Sequence, residues 1–91
     1  MALTASIELT NEVGLHARPS VKLTQLAKSF AASIEFALSP EGPWTDAKSP
    51  VKVMRAKAPK GAVLHFRTEG EDAPVALAAM VDLVERRFDE E

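Results

Sequence analysis

At 91 residues and 46% hydrophobic content the chain is long enough for one domain with a modest buried core, and residues 1–91 are read as a single unit. It has no cysteine, which excludes disulfides, thiol chemistry and cysteine metal sites and suits a reducing compartment. The net charge of −2 argues against a nucleic-acid binder of the usual basic kind; no apolar run approaches a membrane span, and the chain start lacks the basic and apolar segments of a signal sequence, so a cytoplasmic protein is expected.

Leu3, Ala5, Ile7 and Leu9 alternate with Thr4, Ser6, Glu8 and Thr10, the pattern of a strand with one buried face. Gly14, a turn residue suited to positive φ, then opens the stretch Gly14-Leu15-His16-Ala17-Arg18-Pro19-Ser20. A helix starting at Ala17 makes His16 its N-cap and sets Pro19 in the first turn, where a missing N–H costs nothing. Leu23, Leu26, Ala27 and Phe30 follow at i, i+3, i+4, i+7 and predict an amphipathic helix of about four turns.

Ile34, Phe36 and Leu38 give a second strand, Ser39-Pro40-Glu41-Gly42-Pro43 a turn, and Trp44-Thr45-Asp46 a short edge strand, with Trp44 packing the hairpin tip. Ser49-Pro50 reads as the cap and first residue of a short helix through Val51, Val53 and Met54. Ala62, Leu64 and Phe66 form another strand, which leaves His65 on its polar face with no metal-ligand pattern around it. Asp72 is expected to cap a last helix whose stripe runs through Ala73, Leu77, Met80, Val81, Val84 and Phe88.

Chemistry concentrates at the first helix start. The N–H groups of Ala17 and Arg18, the positive end of the helix dipole and the Arg18 guanidinium describe an anion site with the His16 imidazole at its edge, a combination suited to a phosphoryl group on histidine. A cation in a first turn opposes the dipole, so Arg18 is better explained by an anion it must meet than by helix stability. Charge is segregated in the same sense: residues 16–67 hold nine of the eleven Lys and Arg, whereas the tail from Thr68 holds eight of the thirteen acids. The basic segment around the histidine would attract phosphate groups and acidic proteins, and the last helix is acidic.

The Gly14-Leu15-His16-Ala17-Arg18-Pro19 stretch resembles the active-site signature of HPr, the histidine-containing phosphocarrier of the bacterial phosphoenolpyruvate-dependent sugar phosphotransferase system. Ala47-Lys48-Ser49 is similar to that family's second signature, around its regulatory serine. Lys60-Gly61 before a strand and Glu69-Gly70-Glu71-Asp72 before the last helix follow at the family's intervals, so the likeness covers nearly the whole chain. The hairpin is about two residues longer than in familiar HPr sequences, and Lys57 stands where a glycine commonly ends the short helix.

The order β-α-β-β-α-β-α already suggests an α+β layer with one apolar sheet face under helices. The resemblance sharpens this to an HPr-like open-faced sandwich, a four-stranded antiparallel sheet of order 1-4-2-3 with three helices on one face. It implies that His16 takes a phosphoryl group on Nδ1 from Enzyme I and hands it to sugar-specific IIA components, without metal or organic cofactor and as a carrier in place of a turnover enzyme. It further implies phosphate binding by Ala17 and Arg18, partner contacts at Val21, Lys22, Val51, Lys52 and Arg55, regulatory phosphorylation of Ser49 by an HPr serine kinase, and a monomer. The alternative is a regulatory module of the same fold that controls a transcription factor or kinase.

Overall fold

The computed structural model describes residues 2–90. The elements run β1 (Leu3–Glu8), α1 (Arg18–Lys28), β2 (Ser33–Ala37), β3 (Thr45–Asp46), α2 (Pro50–Ala56), β4 (Val63–Glu69) and α3 (Ala73–Glu85), followed by a single 3-10 turn at Arg87–Asp89. The sheet order is β1-β4-β2-β3 with every neighbouring pair antiparallel, so β1 and β2 run parallel without touching, as the resemblance implies.

The alternating patterns put one face of each strand into the core. Leu9, Ile34, Phe36, Leu64 and Phe66 are buried beneath the helices together with Leu23, Ala27, Val53, Met80 and Val84. Phe36 and Phe66 are direct cross-strand partners, their ring centroids 6.4 Å apart and tilted by 53°, a geometry worth roughly 0.5–1.5 kcal/mol beyond simple burial. The opposite face of the sheet is uncovered. There Arg67 reaches back to Glu35 at 2.6 Å and lies 4.2 Å over the Trp44 ring, so Trp44 packs against the open face and not only at its own hairpin tip.

Four expectations are corrected. The first helix has about three turns, not four: at its end Ser29 donates both its N–H (3.0 Å) and its hydroxyl (2.6 Å) to the Leu26 carbonyl, which stops propagation and leaves Phe30 outside. Phe30 still packs on the core from the following loop. β2 ends at Ala37, so Leu38 falls outside the ladder and is 45% exposed.

Asp72 occupies the N-cap position of α3 without capping it through its side chain. Its carboxylate instead accepts from the N–H groups of Ala31 (2.9 Å) and Ala32 (2.7 Å), two donors left free where α1 gives way to β2. Finally, α3 stops at Glu85 and Phe88 enters the core from a left-handed turn, with Arg87, Phe88 and Asp89 all at positive φ.

The short helix follows its sequence more closely. Ser49 is extended and its hydroxyl accepts weakly from Lys52 N–H at 3.4 Å, while Lys57 closes α2 in the left-handed region at φ 51, ψ 40, at a cost of about 1 kcal/mol relative to glycine.

Candidate functional site

The loop between β1 and α1 is tied down at several points before it reaches the histidine. Asn11 is buried and donates from Nδ2 to the Gly14 carbonyl at 2.8 Å, and Gly14 N–H returns a 3.2 Å bond to the Asn11 carbonyl. Gly14 has φ +65, and a Cβ there would stand 2.4 Å from the Ala58 carbonyl oxygen, so both conformation and backbone approach require glycine. Leu15 is fully buried and its N–H donates to the same Ala58 carbonyl at 2.8 Å. On the far side Pro19 and Ser20 are buried, and Ser20 closes the first turn with a 2.6 Å hydroxyl bond to the Ala17 carbonyl.

Between these anchors His16, Ala17 and Arg18 stand exposed. The helix begins one residue later than expected: Arg18 is its first residue and Ala17, not His16, is the N-cap. Ala17 has φ 50 and ψ −127, a conformation that an L-residue with a Cβ seldom adopts and that costs on the order of 1–3 kcal/mol. The reason is the double anchoring, since the chain must turn from buried Leu15 to buried Pro19 within three residues. Neither the Ala17 nor the Arg18 N–H donates to another described residue, and the His16 ring is likewise without a hydrogen bond among them. Exposed imidazole and free helix-start donors are thus brought together on a rigid mount.

The Arg18 side chain is 80% exposed and has a carboxylate partner that lies far away in sequence. Glu90 sits 3.4 Å from Arg18 Nε and 2.5 Å from Lys22 Nζ, and Lys22 also donates to the Phe88 carbonyl at 2.7 Å. The bond from Lys22, with the charge of Arg18 behind it, holds the Glu90 carboxyl below its ordinary value. The acidic tail and the basic site, far apart in the sequence, are therefore in contact. Its signal was the pairing of a basic first helix with an acidic chain end, but no local pattern aligns Glu90 with Lys22.

Of the residues expected to meet partners, Val21 is exposed on α1, whereas Lys22 is half-buried and engaged by the tail. Val51, Lys52 and Arg55 are exposed on α2, which packs beside α1. Ser49 is half-buried at the start of the same helix, and His65 is half-buried on the open sheet face, opposite Ser6 of β1.

A family model described as the PTS HPr component phosphorylation site matches residues 3–86. The chain belongs to the HPr family. It is 40% identical over 84 residues, 92% of each chain, to phosphocarrier protein HPr of Pseudomonas aeruginosa. It is also 32% identical over all 91 residues, the full length of both, to phosphocarrier protein NPr of Escherichia coli. Among solved structures, HPr-C-His from Thermoanaerobacter tengcongensis superimposes with a TM-score of 0.89 at 35% identity, covering 98% of both chains. The family supplies the phosphocarrier role of the phosphotransferase system, and the expected signature lies on the exposed turn described above. No helix among the described residues is long and apolar enough to cross a membrane.

Proposed function

We propose that this chain carries a phosphoryl group on His16, taken from the phosphohistidine of Enzyme I and delivered to IIA components of the phosphotransferase system. What carries the reading is the exposed imidazole directly preceding two unclaimed N–H donors and a guanidinium at a helix start. In the first step the Nδ1 lone pair of His16 attacks phosphorus, and the new N–P bond forms as the N–P bond of the donor breaks. The second step is the same displacement with an imidazole of the acceptor as nucleophile.

Neither step changes oxidation state, so positioning and charge stabilisation are all the protein must provide. The Ala17 and Arg18 N–H groups and the Arg18 side chain are suited to hold the phosphoryl oxygens in transit. Stabilisation has to stay moderate, because a carrier that grips too tightly cannot donate.

Incubation with phosphoenolpyruvate and Enzyme I should add one acid-labile phosphoryl group, and His16→Ala should abolish it. Labelling that persists in the variant would defeat the assignment. Arg18→Ala should fold normally yet accept the group about tenfold to a thousandfold more slowly, the loss expected from one charge-assisted contact to a transferring phosphoryl group.

A further inference from the structure

We infer that the β2–β3 hairpin and the C-terminal end of α2 form a second docking pocket, one that receives an apolar side chain from an acidic segment of a partner protein. The pocket is a cavity of about 270 Å³ lined mainly by apolar groups, among them Phe36, Ala37, Leu38, Pro43 and Ala56, with Thr45 beside them. That volume falls below the roughly 300–1,000 Å³ of small-molecule sites and suits a single anchoring side chain. Leu38, which the end of β2 drops from the ladder, supplies an exposed apolar wall.

The charge beside the pocket identifies the occupant. Thr45 and Ala56 also line an adjoining depression that contains Lys52 and Arg55. Elsewhere Arg18 and Lys22 are held by Glu90, Lys60 by Glu12 and Arg67 by Glu35. Among the described residues Lys52, Arg55 and Lys57 make no ion pair or side-chain hydrogen bond, and α2 contains no acid to satisfy them. The two carboxylates in the depression are already engaged, Glu35 by Arg67 and Asp46 by the Lys48 N–H at 2.9 Å. An apolar hole that adjoins a depression holding the unpaired Lys52 and Arg55 fits a carboxylate-rich segment with one Phe or Leu.

The pocket is linked to the histidine loop, since Ala56 lies two residues before Ala58, whose carbonyl holds Leu15. Its lining shares no residue with the expected partner contacts, although Lys52 and Arg55 beside it are among them, and the inference stands whether or not His16 carries a phosphoryl group.

The test is an amide-resolved NMR titration of the whole chain with an end-blocked peptide Asp-Glu-Phe-Glu-Asp, without any phosphoryl donor. Saturable shifts should centre on Leu38, Gly42, Thr45 and Ala56 and weaken as salt is raised. Leu38→Glu should weaken binding about tenfold by adding a like charge to the wall, and Leu38→Ala should weaken it by a smaller factor with the spectrum otherwise preserved. Replacing the peptide Phe with Ser should have a similar effect to Leu38→Glu. Absence of saturable shifts, shifts confined to Val21 and Val51, or indifference to both Leu38 variants would overturn the inference. So would shifts that follow protein concentration without peptide, since a second copy of the chain would then be the occupant.

Discussion

The Arg18 guanidinium faces the Glu90 carboxylate at 3.4 Å, across seventy-two positions of sequence, and the same carboxylate meets Lys22 at 2.5 Å. The cation proposed to stabilise a phosphoryl group is thus already attended by an internal anion. Glu90→Gln should remove that competition and speed phosphoryl acceptance at His16 by up to about fivefold, as expected for an exposed ion pair. The gain should shrink at high salt. Single-turnover transfer from Enzyme I would show it, and an unchanged or slower rate would mean that the tail does not compete for Arg18.

The left-handed Ala17 backbone makes a second expectation. Ala17→Gly removes the Cβ clash at φ 50 and should stabilise the fold by about 1 kcal/mol. Transfer at His16 should slow at the same time, because glycine admits other conformations and loosens the mount. Thermal unfolding and transfer rates read the two effects separately. A melting temperature no higher than that of the parent would show that the Ala17 conformation is not strained.

Ser49 caps α2 through a weak 3.4 Å bond, and an aspartate can take over that role. Ser49→Asp should therefore leave thermal stability level or slightly raised, while its negative charge sits beside the cations of α2. Transfer from Enzyme I to His16 should slow, most visibly at low salt. If the rate equals that of the parent at every ionic strength, Ser49 serves as a helix cap and not as a regulatory site.

The Asp72 bridge makes a pH-dependent expectation. The bond from Ala31 N–H, assisted by that from Ala32, lowers the Asp72 pKa below its ordinary value of 3.8, with burial opposing them. A lowered folded-state pKa gives stability that is fully present above 3.8 and is lost as pH falls through the folded-state value. Asp72→Asn should melt a few degrees lower than the parent near neutral pH, because its amide cannot accept from both donors. The difference should close as the pH is lowered beneath 3.8. A gap that stays constant with pH would show that the bridge does not depend on the ionised carboxylate.

Strands, two of the three helix starts and the histidine corner follow from neighbours a few residues apart: the alternation from Leu3 to Leu9, Ser49 before Pro50, and Gly14 through Pro19. Such features rest on local sterics and periodic burial, which a linear chain displays directly. Even the sheet order was legible, though only through the family resemblance and not from periodicity.

Tertiary structure decided the rest, because the deciding partners lie far apart in sequence. Asp72 gives up its cap role for donors some forty residues away, and Glu90 closes on Arg18 and Lys22 from the other end of the chain. Ala17 takes its left-handed turn because both Leu15 and Pro19 are drawn into the core, a demand that no property of alanine announces. Leu38 continues the apolar alternation of β2, yet the hairpin leaves it outside the ladder, and only the placement of α2 next to it turns an exposed leucine into the wall of a pocket. Long-range closure of this kind depends on which surfaces meet once the core has formed, and pair positions in three dimensions carry no periodic mark in the chain.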